Sequence, residues 1–285
     1  MNGEKTAVIV LNWNGAADTL VCLASLGKVR QPEFTVIMAD NGSTDGSVAL
    51  VRRAFPEVEI LELGRNLGFA GGNNAAFRSL RGRGFDNVVF LNNDTVVDPG
   101  FLQPLIETLR DAWVGIAAPR ILYIDDPTRI WYAGGAVNPA TGLIEHTGIR
   151  QPDGPRFDAL KPVGYATGCC LAMRCRLFEE AGGFDERFRM YGEDVDLSMK
   201  VRECGLAVMY QPASRIWHRV SASSGGEMNL GKQLRKSGAA MTLFAKHGMF
   251  SSLVLYPLLL PFRALLGLLR IQLFRRASSQ EREEV

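Results

Sequence analysis

"TAVIVLNW", residues 6–13, heads a series continued by "FTVIMAD" (34–40), "VEILEL" (58–63), "NVVFLNND" (87–94) and "VGIAAP" (114–119). Each run is close to continuously apolar, the signature of a strand covered on both faces. Helical patterns lie between them, near 16–26, 45–55, 72–80 and 99–111. Ser43, Thr44 or Asp45 is placed to cap the second, and Pro99 stands where a first helical turn tolerates proline. Strand–helix alternation of this kind predicts an α/β fold: a Rossmann-like, mostly parallel sheet flanked by helices.

The rest of the chain is consistent with one such fold plus an extension. At 285 residues, 47% hydrophobic and 22% charged, it has the composition of a globular protein with a large core. Its 32 basic and 30 acidic residues nearly cancel, so no nucleic-acid partner is expected. Five cysteines, with Cys169 and Cys170 adjacent and no C-x-x-C pair, speak against a disulfide framework or a zinc site and fit a reducing compartment. "MNGEKTAVIVLNW" lacks a signal-peptide pattern, which leads to an expected cytoplasmic location. Composition divides the chain into a regular half (1–119), a Gly- and Pro-rich half (120–225) and a basic, apolar extension (226–285).

In an open α/β sheet, ligands bind outside the carboxyl ends of the strands. Three predicted strands end there in polar residues: Asn12 to Gly15, Asp40 to Ser43, and Asn92-Asn93-Asp94. Turn chemistry explains any one of them alone; three on one edge suggest a site. In "LGRNLGFAGGNNAAF" (63–77), Gly68, Gly71 and Gly72 precede a helical pattern, so free N–H groups there could face an anion, with Arg65 adding a cation. The spacing matches neither the dinucleotide fingerprint nor a P-loop. Asp94 is an oxygen ligand of the kind Mg²⁺ or Mn²⁺ prefers, Asn92 lies on the same side of an extended segment, and His218 is a further ligand candidate or else a structural histidine. In "MYGEDVDLSMKV" (190–201), Glu193, Asp194 and Asp196 open a short helix closed by Gly205. There they favour the helix dipole and could also hold a catalytic base.

Taken together, "VIVLNWNG", "ADNGSTDGS", "GRNLGFAGGNN", "VVFLNNDT", "GGFDERFRMYGEDVDLS" and "WHRVSAS" resemble family 2 glycosyltransferases of the GT-A fold, closest to the rhamnosyltransferase-like branch, over about residues 5–225. The resemblance implies an inverting, metal-dependent transferase. Asn12, Asn14 and Asp40 would hold the nucleotide, while Arg65, Asn66, Gly71 and Asn73 would frame the sugar-nucleotide. Asn92-Asn93-Asp94 occupies the D-x-D position with its first acid replaced, leaving Asp94 as the main ligand for Mg²⁺ or Mn²⁺ and His218 as a second. Asp194 would be the general base, Glu193 an acceptor-orienting partner, and Thr167-Gly168-Cys169 part of the acceptor site, with Asp196 structural. The implied donor is dTDP-rhamnose or a UDP- or GDP-sugar; the implied acceptor is a saccharide or a polyprenyl-linked saccharide, in cell-surface polysaccharide synthesis. A nucleotidyltransferase releasing pyrophosphate and a non-catalytic glycan-binding module are the competing readings.

The extension contains "SSLVLYPLLLPFRALLGLLRIQLFRR" (251–276), which Pro257, Pro261, Arg263 and Arg270 make a poor spanning segment. Phe262, Leu265, Leu266, Leu269 and Leu273 recur at helical spacing beside Arg263, Arg270, Arg275 and Arg276. This pattern suits an amphipathic helix lying on the inner face of the cell membrane. The alternative is packing on the domain or on a second copy in a homodimer.

Overall fold

The computed structural model describes residues 4–188, 190–220 and 230–260. Among the described residues the strands are β1 (Thr6–Asn12), β2 (Phe34–Asp40), β3 (Glu59–Glu62), β4 (Asn87–Asn92), β5 (Thr95–Val97), β6 (Val114–Tyr123), β7 (Ile130–Tyr132), β8 (Gly135–Asn138), β9 (Leu143–His146), β10 (Lys161–Pro162), β11 (Cys170–Arg174) and β12 (Ala207–His218). Helices up to residue 246 are α1 (Ala16–Leu26), α2 (Ser47–Ala54), α3 (Gly68–Arg78), α4 (Leu102–Leu109), α5 (Cys175–Glu180), α6 (Glu193–Glu203) and α7 (Leu230–Lys246).

Ten strands form one sheet, in the order β10-β12-β6-β11-β4-β1-β2-β3, with β5 paired to β12 and β7 to β6. The parallel portion expected from the apolar runs is β3-β2-β1-β4. The sheet turns mixed at β11, which runs antiparallel to both β4 and β6. Register pairs Asn12 with Asp40 and Leu11 with Asn92, so the three polar strand ends do share one edge. Apart from Leu11 and Tyr123 near the strand ends, the apolar side chains of β1, β4 and β6 are buried, as two-sided coverage requires. α3 packs on β1 and β2, α4 on β6 and β12, and α6 on β12 and β6.

Three local expectations change. α3 starts at Gly68, four residues before the predicted start, because its glycines lie inside the helix. A Cβ on Gly72 would come within 2.6 Å of Leu11 Cδ1, so that glycine serves the close approach of α3 to β1. Pro99 lies ahead of α4: the Asp98 carbonyl accepts from Phe101 N and Asp98 Oδ1 from Gly100 N, closing a separate turn first. The N-cap position of the second helix is Gly46, at φ 78°, so none of Ser43, Thr44 and Asp45 occupies it; Asp45 sits one residue earlier, its Oδ1 accepting from Ser47 N (3.0 Å) and its Oδ2 from Ala16 N of α1 (3.0 Å).

The 119/120 change of composition falls within the continuous strand β6. By compactness the chain forms two units, one running to Ala136 and resuming over Glu145–Ala239, the other comprising Val137–Ile144 and the chain from Ala240. In the first unit, Arg120 is almost fully buried; its guanidinium donates twice to Asp153 (2.8 and 2.9 Å), to the Phe157 carbonyl (2.9 Å), to Tyr210 Oη (3.2 Å) and to Asp158. This network ties the irregular 150–158 segment to the sheet. In the second unit, Ser252 Oγ donates to the Pro139 carbonyl (2.6 Å), and Phe244 meets Tyr256 edge-to-face at 5.3 Å. A helix runs over 250–260, to the last described residue. The leucine-rich stretch assigned to an amphipathic helix from 262 onward lies outside the described residues. Among the described residues no helix is long and apolar enough to cross a membrane.

Candidate active site

The polar strand ends are bound together by Asn12. This residue is fully buried, and its Nδ2 lies within donor distance of Asp40 Oδ1 (2.8 Å), Ser43 Oγ (3.0 Å) and Ser47 Oγ (3.0 Å). Its Oδ1 accepts from Thr19 Oγ1 (2.8 Å) and Asn93 Nδ2 (3.3 Å). Every polar atom of the carboxamide therefore faces protein, and the residue aligns β1, β2 and the Asn93 turn. Asp40 is also buried and accepts from Ser43 N (2.9 Å). Asn14 is exposed at φ 50°, and its Oδ1 accepts from Thr44 N (2.7 Å). Asn41, which the sequence reading did not single out, accepts from Leu67 N (2.8 Å) and donates to Asn66 Oδ1 (3.2 Å) and the Gly68 carbonyl (3.1 Å). It draws the 64–68 loop onto β2. Gly42, at φ 78°, allows this: a Cβ there would sit 2.7 Å from Arg65 Cα. Arg65 itself is exposed. Gly71 and Asn73 lie within α3, and Asn73 Nδ2 donates back to the Phe69 carbonyl (3.0 Å).

Asp94 and His218 come together although the sequence separates them. His218 ends β12 and pairs in register with Thr95 of β5, which sets its Nε2 3.2 Å from Asp94 Oδ1. Asp94 Oδ1 and His218 Nδ1 are buried without a hydrogen bond among the described residues. A carboxylate oxygen and an imidazole nitrogen held side by side in this way fit two ligands of a Mg²⁺- or Mn²⁺-type ion. No group of three His, Cys, Asp or Glu side chains that could hold a metal occurs among the described residues. The remaining ligands would then come from water or substrate oxygens.

The Thr167–Cys169 loop joins this corner to the acidic helix. Its Cys169 carbonyl accepts from Asn92 N (2.9 Å), while Gly168 N donates to Asp194 Oδ2 (2.8 Å). Asp194 Oδ1 accepts from Val195 N (2.8 Å) in the first turn of α6. Burial raises the Asp194 carboxyl above the usual range, opposed by these N–H donors. Glu193 is 6% exposed, and its Oε2 has no hydrogen-bond partner among the described residues. Burial first, and the Asp194 charge second, push it well up. Of this coupled pair Glu193 is the member that holds its proton longer, because it loses that proton against the charge of Asp194. Burial raises the Cys169 thiol well above its usual range, helped by the charge of Asp94. Asp196 is fully buried, with Lys200 Nζ 3.2 Å away.

A polar strand edge, an Asp94–His218 pair and a buried acidic pair are thus linked through the Thr167–Cys169 loop. The model of the Glycosyl transferase family 2 domain matches residues 7–182. The chain belongs to glycosyltransferase family 2. It is 31% identical to an N-acetylglucosaminyl-diphospho-decaprenol L-rhamnosyltransferase of Mycobacterium tuberculosis, across 71% of this chain and 72% of that one. It is 29% identical to the O-antigen biosynthesis protein RfbC of Myxococcus xanthus, across 78% of this chain and 18% of the longer relative. These relatives place it with the rhamnosyltransferase-like glycosyltransferases. Among solved structures, GalNAc-T7 with UDP, GalNAc and Mn²⁺ aligns at TM-score 0.64 and 16% identity, covering 87% of this chain and 51% of that one. The Pyrobaculum calidifontis mannosyltransferase PcManGT, in complex with GDP-Man and Mn²⁺, aligns at TM-score 0.62 and 19% identity, covering 88% and 69%. Both share the GT-A fold with this glycosyltransferase. The family match ends before Glu193-Asp194, so the acidic pair rests on its own geometry.

Proposed function

We propose that this glycosyltransferase moves rhamnose from dTDP-rhamnose, with inversion, onto a saccharide or polyprenyl-linked saccharide in cell-surface polysaccharide synthesis. The observation that carries the reading is the Thr167–Cys169 loop, which hydrogen-bonds both Asn92, at the Asp94 corner, and Asp194. One short loop thus couples a diphosphate-side corner to a base-side carboxylate, as a displacement with attack and departure on opposite sides needs. Asp194 takes the proton of the acceptor hydroxyl as that oxygen bonds the anomeric carbon, and the nucleoside diphosphate leaves with the electrons of the broken bond. No covalent enzyme intermediate is needed, and the anomeric configuration inverts. Protonated Glu193 adds no second negative charge beside the base and offers an O–H to orient the acceptor. Asp94 and His218 would hold the divalent cation, which when bound supplies charge stabilisation to the diphosphate. Asn12 acts by holding Asp40, Ser43 and Asn93 at the nucleotide edge and does not itself contact the base.

The rhamnosyl donor and the lipid-linked acceptor are supported by the mycobacterial relative, an N-acetylglucosaminyl-diphospho-decaprenol L-rhamnosyltransferase. Attachment to the inner face of the membrane is supported by Phe250, Val254 and Leu258, spaced four residues apart on the 250–260 helix and 75%, 63% and 63% exposed. The test is a screen of dTDP-, UDP- and GDP-sugars with Mn²⁺, Mg²⁺ or chelator, following nucleoside diphosphate release and the product anomer. Turnover of dTDP-rhamnose to an inverted product supports the reading; exclusive use of another donor, or a retained anomer, refutes that part of it.

A further inference from the structure

The motifs that define the nucleotide edge, the cation corner and the base do not account for an aromatic cluster beside them. Trp131 is the middle residue of β7, where Ile130 and Tyr132 point into the core and are fully buried. Trp131 itself is partly buried at the margin of the core, and there its indole meets two imidazoles. His218 lies 4.4 Å away, centroid to centroid, at 70°; His146 lies 4.5 Å away at 76°. His146 is itself backed by Tyr132 (5.2 Å) and Tyr165 (5.9 Å). Burial lowers His146 to about 4, so it stands as a neutral, largely apolar wall. The two edge-to-face contacts hold the indole in one orientation, and part of its surface remains exposed.

A partly exposed indole held this way, one ring away from the Asp94–His218 pair, is poorly matched to a phosphate and well matched to the C–H face of a sugar ring. We propose that Trp131 is a sugar-stacking residue, its exposed indole surface packing on a hexose bound next to Asp94 and His218. The prior ordering of the ring means that little conformational entropy is lost when the sugar arrives. A 6-deoxyhexose, with a methyl group in place of a hydroxymethyl, would present more apolar surface to the indole than an ordinary hexose. The hexose is either the one being transferred or the terminal sugar of the acceptor. The inference rests on sugar transfer by this chain, and it does not depend on which nucleotide sugar is the donor.

The experiment uses the full chain and the variants Trp131→Ala and Trp131→Phe. Calorimetric titrations with dTDP-rhamnose and with dTDP would be compared, alongside acceptor KM and Mn²⁺ binding. If a different nucleotide sugar proves to be the donor of the wild type, that sugar and its nucleoside diphosphate replace the pair, so failure of the donor assignment shows in the wild type and failure of the stacking role only in the variant. Trp131→Ala is expected to weaken the nucleotide sugar about tenfold, equivalent to roughly 1.4 kcal/mol, with the nucleoside diphosphate and Mn²⁺ unchanged, if the stacked ring is the donor's. It is expected to raise the acceptor KM by a similar factor, with donor binding unchanged, if the ring is the acceptor's. In either case Trp131→Phe retains most of the affinity. Unchanged affinities for both substrates would overturn the proposal. So would a loss of Mn²⁺ and nucleoside diphosphate binding with no sugar-specific component, since that is the behaviour of a residue that only props His218.

Discussion

Replacing Asp194 with Asn keeps the size and shape of the side chain and removes its charge and its ability to take a proton. In the native site Oδ2 accepts from Gly168 N (2.8 Å) and Oδ1 from Val195 N (2.8 Å). An amide cannot serve both donors: whichever way it is turned, its NH₂ faces one backbone N–H. Leaving a buried donor unsatisfied costs on the order of 1–3 kcal/mol, and loss of the buried charge offsets part of it, so the chain should still fold. The kinetic effect is larger. A positioned general base contributes about 10²–10⁴ in rate, or roughly 3–5 kcal/mol of barrier, and that is the expected loss in kcat. The Asp40 and Asn12 network is not touched, so binding of the nucleotide sugar should stay within a few-fold. Initial rates of nucleoside diphosphate release with acceptor present, together with calorimetric binding of the donor, separate the two effects. A variant that turns over within threefold of wild type would remove Asp194 from the role of base.

Substituting Asp94 with Ala, or adding chelator, is expected to abolish Mn²⁺- or Mg²⁺-stimulated turnover, with Mn²⁺ restoring only the chelated wild type; titrating Mn²⁺ into each protein checks this apart from activity. Glu193 has a folded-state value raised from 4.5 to about 8, so the folded chain binds a proton that the unfolded chain has already released. Stability should therefore fall as pH rises through that window, by up to ~1.4 kcal/mol per pH unit; in Glu193→Gln the slope should flatten, and urea midpoints at pH 5 and pH 8 that move equally in both proteins would contradict it. Arg120→Met should destabilise the first unit by on the order of 3 kcal/mol, the usual cost of breaking a buried ion pair. That figure is moderated because Asp158, with a 58% exposed side chain, can rehydrate; denaturant unfolding of the purified variant measures it.

The regular half of the fold was legible because its strands are apolar runs and its helices periodic. Both patterns are local, set by one segment and the faces it buries. The polar ends of β1, β2 and β4 could be placed on one edge for the same reason, since alternating strands and helices imply parallel neighbours. The start of α3 was misplaced at 72 instead of Gly68 because helix-interior glycines read as a loop until Leu11 is seen packed against Gly72. Asn41 was not distinguished from the turn residues around it, and Trp131 and His146 carried no motif.

By itself the sequence determined the α/β class, the strand edge on which polar residues gather and the residue types available there, because covalent order and side-chain chemistry decide those. It could not decide what each polar group does. Asn12 looks like a nucleotide contact in the sequence, yet in the folded chain its carboxamide is wholly engaged by Thr19, Asp40, Ser43, Ser47 and Asn93. Asp194 meets Gly168 from 26 residues away, and His218 meets Asp94 only through the pairing of β12 with β5. Hydrogen bonds and ring contacts act over a few ångströms, and strand order, which brings distant segments within that range, exists only in the tertiary structure.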